Sequence, residues 1–262
     1  MYSWSPTLTA AWKRLLEWVS ARAGGGLEVL EVADPYPLET LWAREDLGCV
    51  FMCGYPWAVR EPRPHLLAAP VPSPARYRGQ PIYFTDFIVR ADSPYRTLED
   101  TFGGCIAYSI EHSHSGYNAA RFHLLDHRRP DRPALYARVL GPLHRQLPVI
   151  DAVLDGRADV GPVDAYGLDL LRRHGAERAA RVRVVATTVE APSAPLVASP
   201  GVDAAMRERL RQALLAAHDA PELKTTLDEL LLARFVPADA RAFDVMVERQ
   251  HTAERAGYPR LA

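Results

Sequence analysis

The sequence predicts an α/β protein of two lobes, each a mostly parallel sheet flanked by helices, with a cleft between the lobes. Three observations lead there. Strand-type and helix-type segments alternate from the start of the chain, the pattern of a largely parallel sheet. A longer extended segment at 82–90 is followed by a second round of the same alternation. The 262 residues suit two lobes of roughly 100 residues each.

In the first round, Ser5-Pro6 reads as a helix start, with a capping hydroxyl and a proline in the first turn. Leu8, Ala11, Trp12, Leu15, Leu16 and Val19 recur at helical spacing, and Gly24-Gly25-Gly26 ends the run. Strands are expected at 27–32, 49–53 and 66–71, with a short helix at 38–44. In the second round, strands are expected at 106–109, 136–140, 158–163 and 182–188. Helices are expected from about residue 97 and over 116–126, 149–154 and 166–174. The remainder reads as nearly all helix, at 203–218, 221–232 and 239–256. The first lobe is therefore expected to be discontinuous, 1–87 plus 187–262, with the second lobe inserted at 88–186. The crossings near 85–88 and 187–191 form the expected hinge.

A formal net charge of −1 argues against nucleic acid or an anionic membrane as partner. The basic cluster Arg172, Arg173, Arg178, Arg181 and Arg183 reads as a solvated face. Cys49 and Cys53 lie on one expected strand, about 13 Å apart and beyond disulfide reach. With Cys105 they read as reduced and mostly buried. No apolar run approaches a membrane span. The first six residues have neither the basic start nor the apolar core of a signal peptide. A periplasmic or cell-envelope location would need an upstream export signal; otherwise the protein is expected in the cytoplasm.

The most informative segment is Glu111-His112-Ser113-His114-Ser115-Gly116-Tyr117-Asn118, between an apolar strand and a helix. Amides at a helix start lack intrahelical partners and carry the positive end of the dipole, so an anion or other acceptor fits there. Gly116 permits close approach of the backbone. The serines serve equally well as plain caps. Asp164 closes a buried strand and precedes a helix, where it either caps that helix or accepts a ligand N–H or O–H. Tyr55, in Cys53-Gly54-Tyr55-Pro56, is a cleft wall or an ordinary surface aromatic.

Taken together, these residues carry a resemblance. Ser113-His114-Ser115-Gly116-Tyr117 is similar to the S-x-S-G-Y segment of phosphate/phosphonate-type substrate-binding proteins of ABC importers. Gly156-Arg157-Ala158-Asp159-Val160 with Val163-Asp164 resembles that family's second motif. The stretch from Ile82-Tyr83-Phe84 to Asp92-Ser93 resembles its crossing strand. The resemblance runs from Met1 to about Ser199. It implies a type II periplasmic-binding fold in which Ser113, His114, Ser115, Gly116 and Tyr117 hold the ligand's oxyanion. It implies further that Tyr83 lines the cleft and Asp164 contacts the ligand's other end. Tyr2 and Ser3 match the family's first loop and Tyr55 its second. Two departures stand out. Gln146 occupies the position where many members carry a histidine, and the family's first strand would lie ahead of Met1.

The resulting expectation is a solute-binding protein for an ABC importer. It would be a monomer that uses no cofactor or metal, with a small-molecule ligand and an ABC permease as partners. Because Asp164, Glu111 and Asp86 fall near the expected cleft and no lysine or arginine is clearly placed there, the expected ligand has an oxyanion end and a donor or amine end. The alternative is a cytosolic enzyme on the same fold, of lyase or cofactor-biosynthesis type, with Asp164 or Glu111 and His112 or His114 moving protons. No nucleophile elbow, phosphate loop or HExxH motif supports it.

Overall fold

The computed structural model describes residues 2, 4–30 and 38–261. The chain divides into two compact units, Met1–Ile82 with Pro192–Ala242 and Tyr83–Ala191 with Phe243–Ala262.

In the first unit, helix Pro6–Arg22 begins as the sequence dictates: Ser5 Oγ accepts the amide of Leu8 at 3.2 Å, and Leu8, Ala11, Trp12, Leu15 and Val19 are buried. Its end passes through three successive glycines at φ of 101°, 75° and 87°, left-handed conformations that a side chain would strain. The sheet runs in the order Val50–Phe51, Leu196–Ala198, His65–Pro72, Leu232–Val236, and its pairings are antiparallel. The strand expected at 27–32 is not formed over 27–30, and its last two residues lie outside the described ones, as does Ser3. Strand Leu232–Val236 overturns the all-helix reading of the C-terminal region. Leu231, at φ 51°, stops the preceding helix, and Leu232 and Phe235 are buried.

In the second unit, strand Thr85–Arg90 lies between Gly161–Asp164 and Val182–Thr187, antiparallel to both. Strands Cys105–Ala107 and Arg138–Leu140 pair in parallel, and a parallel bridge joins Ile106 to Val160. Strand directions are thus more mixed than the alternation suggested. The segment that enters this unit and the one that leaves it are hydrogen-bonded neighbours, so they must run in opposite directions.

Side chains alternate across the sheet with the period of two that a strand imposes. Phe87, Val89 and Ile106 join one apolar cluster with Tyr117, Leu124, Tyr258 and Leu261. Ile88, Cys105 and Ala107 join another with Val149, Val153, Val163 and Leu168. Helices Gln146–Leu154 and Ala165–His174 cover the second face. Helix Ala119–Leu124 and the end of the chain cover the first. Asp159 works inside this unit: its carboxylate accepts the Cys105 amide at 2.7 Å and the Tyr95 hydroxyl at 2.9 Å.

Residues 243–262, expected in the first lobe, pack with the second unit. Tyr258 and Leu261 are buried in its core, and Arg128 donates to the carbonyls of Ala256 and Gly257. The basic cluster also divides. Arg172 pairs with Asp169 and Arg178 with Asp151, but Arg183 is half-buried and donates to the carbonyls of Ala91, Ser93 and Tyr95. The three cysteines are free thiols, Cys53 and Cys105 buried and Cys49 half-buried. Among the described residues no helix is long and apolar enough to cross a membrane.

Tyr258→Ala removes a buried ring that also lies 4.5 Å from the Arg128 guanidinium. It should cost about 3 kcal/mol. Denaturant unfolding would measure this, and a loss well below 1 kcal/mol would mean the C-terminal segment is not docked.

Candidate functional site

The conspicuous local feature of the second unit is the start of its helix at 114. Residues His114–Asn118 form a π turn that continues into helix Ala119–Leu124. The amides of Asn118 and Ala119 reach back five residues, to the carbonyls of Ser113 and His114. Such turns widen the helix and are frequent at functional sites. Ser113 is the cap: its backbone is extended, and its Oγ accepts the Gly116 amide at 3.0 Å. A Cβ on Gly116 would lie 1.9 Å from Ser109 Oγ, so no side chain fits there.

The turn is tied to the sheet through buried groups. Thr85 Oγ1 donates to the Ser115 carbonyl at 3.0 Å. Thr85 also sits opposite Asp164 in the strand register, which brings Asp164 to the same end of the sheet as the turn. Asp164 is buried and caps the next helix, its Oδ1 accepting the Gly167 amide at 2.9 Å. The backbone carbonyl of Asp164 accepts from Gln146 Nε2 at 3.1 Å. The residue standing where the resembled family often carries histidine thus holds the strand end. The Thr188 hydroxyl accepts the Thr85 amide, and the Thr188 amide donates to the Thr85 carbonyl.

His114 and Tyr83 are both buried, with rings 6.2 Å apart and inclined at 50°. Burial, and then the nearby positive charge of Arg249, push the His114 pKa down to about 3, so the ring is neutral at physiological pH. Tyr117 is buried, packed on Tyr108 at 5.0 Å and covered by Arg121, and its hydroxyl accepts the Leu261 amide. Of the other acids, Asp86 is fully buried and accepts from Thr187 Oγ1 at 2.7 Å. Glu111 is exposed and accepts the Tyr108 hydroxyl at 2.5 Å.

The structure therefore brings together Tyr83, Ser113, His114, Ser115, Gly116, Tyr117 and Asp164 in one unit. Tyr2 and Tyr55 belong to the other unit. Tyr2 is buried edge-on against Trp4 and Phe51, and Tyr55 is half-buried in the first turn of helix Gly54–Val59. Three contributors were not read from the sequence as parts of the site, Gln146 having been noted only as a departure from the family pattern. Thr85 and Gln146 act through contacts that no motif spells. Arg249, on helix Asp244–Arg255, corrects the expectation that no cation lies near the turn, having been assigned with that helix to the wrong lobe. Among the described residues no group of three or more His, Cys, Asp or Glu is placed to hold a metal ion.

A model of the family described as ABC transporter, phosphonate, periplasmic substrate-binding protein matches residues 3–243. No curated relative matches the sequence. A binding protein component of an ABC phosphonate transporter from Pseudomonas aeruginosa superposes with a TM-score of 0.79 at 19% identity, covering 97% of this chain and 84% of that one. The PhnD1 protein of Prochlorococcus marinus in complex with methylphosphonate gives a TM-score of 0.77 at 15% identity, covering 95% and 94%. A Xanthomonas citri protein bound to ATP gives 0.65 at 23% identity, with 95% of each chain covered. These likenesses establish the type II periplasmic-binding fold.

The His114 environment sets a pH dependence. The folded pKa of about 3 lies below the unfolded value near 6.5, so unfolding takes up a proton between those limits and stability falls as pH drops through that window. Between pH 6.5 and pH 5 the wild type should lose about 1–2 kcal/mol that His114→Gln does not lose. Paired urea titrations at the two pH values read the difference. Parallel curves would place His114 in a wetter environment than described.

Proposed function

The chain belongs to the family of phosphonate ABC-transporter periplasmic substrate-binding proteins, and we propose that its 113–117 turn holds the oxyanion of a phosphonate-like ligand. Membership places the chain in a transport family, not an enzyme family, and implies a small-molecule ligand and a permease partner. The observation that carries the site is the helix start itself. The turn is locked to the sheet by Thr85 and stripped of side chain at Gly116. It presents backbone amides at the positive end of a helix, with Ser113 and Ser115 hydroxyls beside them. Amides and a dipole fixed before the ligand arrives need little reorganisation to receive an anion.

Asp164, at the same end of the sheet, is the proposed contact for the ligand's other end. Its Oδ1 caps the helix at Gly167, and each carboxylate oxygen has more than one acceptor lone pair. Tyr83 lines the site. The protein is proposed to act as a monomer in the periplasm.

The test is a double variant, Ser115→Ala with Asp164→Asn, in a thermal-shift screen of methylphosphonate, phosphate, phosphite, sulfate, amino acids and small carboxylates. At about 100 times its dissociation constant a ligand adds about 2.7 kcal/mol, a shift of a few degrees for a chain of this size. Methylphosphonate or a related oxyanion should shift the wild type and leave the double variant unmoved. The variant should still fold, because asparagine is as good a helix cap as aspartate. An unresponsive wild type, or a variant that responds equally, would contradict the assignment.

A further inference from the structure

We propose that Arg249 is a ligand-binding residue, carried to the 113–117 turn by the C-terminal helix, and that it supplies the positive charge a doubly charged tetrahedral oxyanion requires there. The proposal rests on the reading of that turn as the oxyanion site and adds to it a determinant of ligand charge.

Helix Asp244–Arg255 packs against both the His114–Asn118 turn and helix Ala119–Leu124. The Arg249 guanidinium lies over the Phe122 ring, 5.6 Å from its centroid. Arg249 Nη2 donates to the Glu190 carbonyl at 2.8 Å, which anchors one branch of the fork. The other branch, Nη1, is shielded from solvent and has no hydrogen-bond partner among the described residues. A buried guanidinium N–H without an acceptor is costly, and an acceptor arriving with a ligand removes that cost.

The charge environment agrees. Burial lowers the Arg249 pKa, while Tyr83 and the Glu190 carboxylate favour its charged form. His114, beside it, is held neutral. The positive charge near the turn is therefore the guanidinium, not the imidazole. Arg121, the neighbouring cation, has both terminal nitrogens engaged, Nη1 donating to the Pro259 carbonyl and Nη2 to Asn118 Oδ1 at 3.0 Å, and only its Nε is buried without a partner among the described residues. Backbone amides meet a first negative charge with dipoles rather than with a full positive charge. A fixed guanidinium favours a second, and so a phosphonate over an isosteric sulfonate.

The probes that separate these cases are methylphosphonate and methanesulfonate, a dianion and a monoanion of nearly the same shape at pH 8. Calorimetry on the wild type should show tighter binding of methylphosphonate. Arg249→Gln should weaken methylphosphonate by about 10- to 100-fold and remove most of the preference, while Arg249→Lys restores part of it. A merely structural arginine would alter both probes alike. If Arg249→Gln fails to fold, the side-chain nitrogen resonances of the wild type decide: those of Arg249 should move when methylphosphonate is added. Unchanged preference in a folded Arg249→Gln, or stationary Arg249 resonances, would overturn the proposal. In either of those cases, binding that is lost in the Ser115→Ala, Asp164→Asn variant would leave the turn reading intact. A wild type that binds neither probe would overturn both.

Discussion

The hydrogen bond from Thr85 Oγ1 to the Ser115 carbonyl, 3.0 Å long and fully buried, joins the sheet of the second unit to the turn proposed to hold the ligand. Strand Thr85–Arg90 is central in that sheet, and its alternation sorts Phe87 and Val89 to one core and Ile88 to the other. Both helical layers are referenced to this strand. The residue that heads it sets the position of the Ser115 backbone and, through the strand register, that of Asp164. A site built this way is as rigid as the sheet. Gly116 adds the second constraint, because only a residue without Cβ lets the turn close against Ser109.

Electrostatics decides what such a turn can hold. Three carboxylates near it looked repulsive to an anion when read from the sequence, yet each has a donor. Asp164 caps a helix, Asp86 accepts from Thr187, and Glu111 accepts from Tyr108. Charge-assisted hydrogen bonds of this kind disperse negative charge onto neighbouring dipoles. Arg249 adds a cation on the same side, and His114, kept neutral by burial, adds none. The balance favours an anionic group more than composition alone suggested.

Much of the second unit was legible because its signals are local. An apolar strand, serines, a glycine and a resumed helical period mark the 113–117 turn without reference to anything distant. Asp164 could be read at a strand-to-helix junction for the same reason, although whether it caps, contacts ligand or does both is a matter of geometry. What stayed hidden depended on long-range packing. The 239–256 segment is plainly helical, but nothing in its pattern says that Tyr258 and Leu261 dock in the second unit, so Arg249 went unnoticed. Strand Leu232–Val236 has five residues and follows a helix directly, too short a run for alternation to outweigh the helical reading. Strand direction, too, is fixed by which segments become neighbours, as where the entering and leaving segments lie side by side.

The central claim is positional: the ligand's oxyanion rests on the turn at 113–117. A crystal structure of the protein with methylphosphonate tests it most directly. The account predicts phosphonate oxygens at hydrogen-bond distance, about 2.7–3.2 Å, from backbone amides of that turn and from the Ser115 hydroxyl. A phosphonate bound elsewhere, with the turn occupied by water alone, would contradict it.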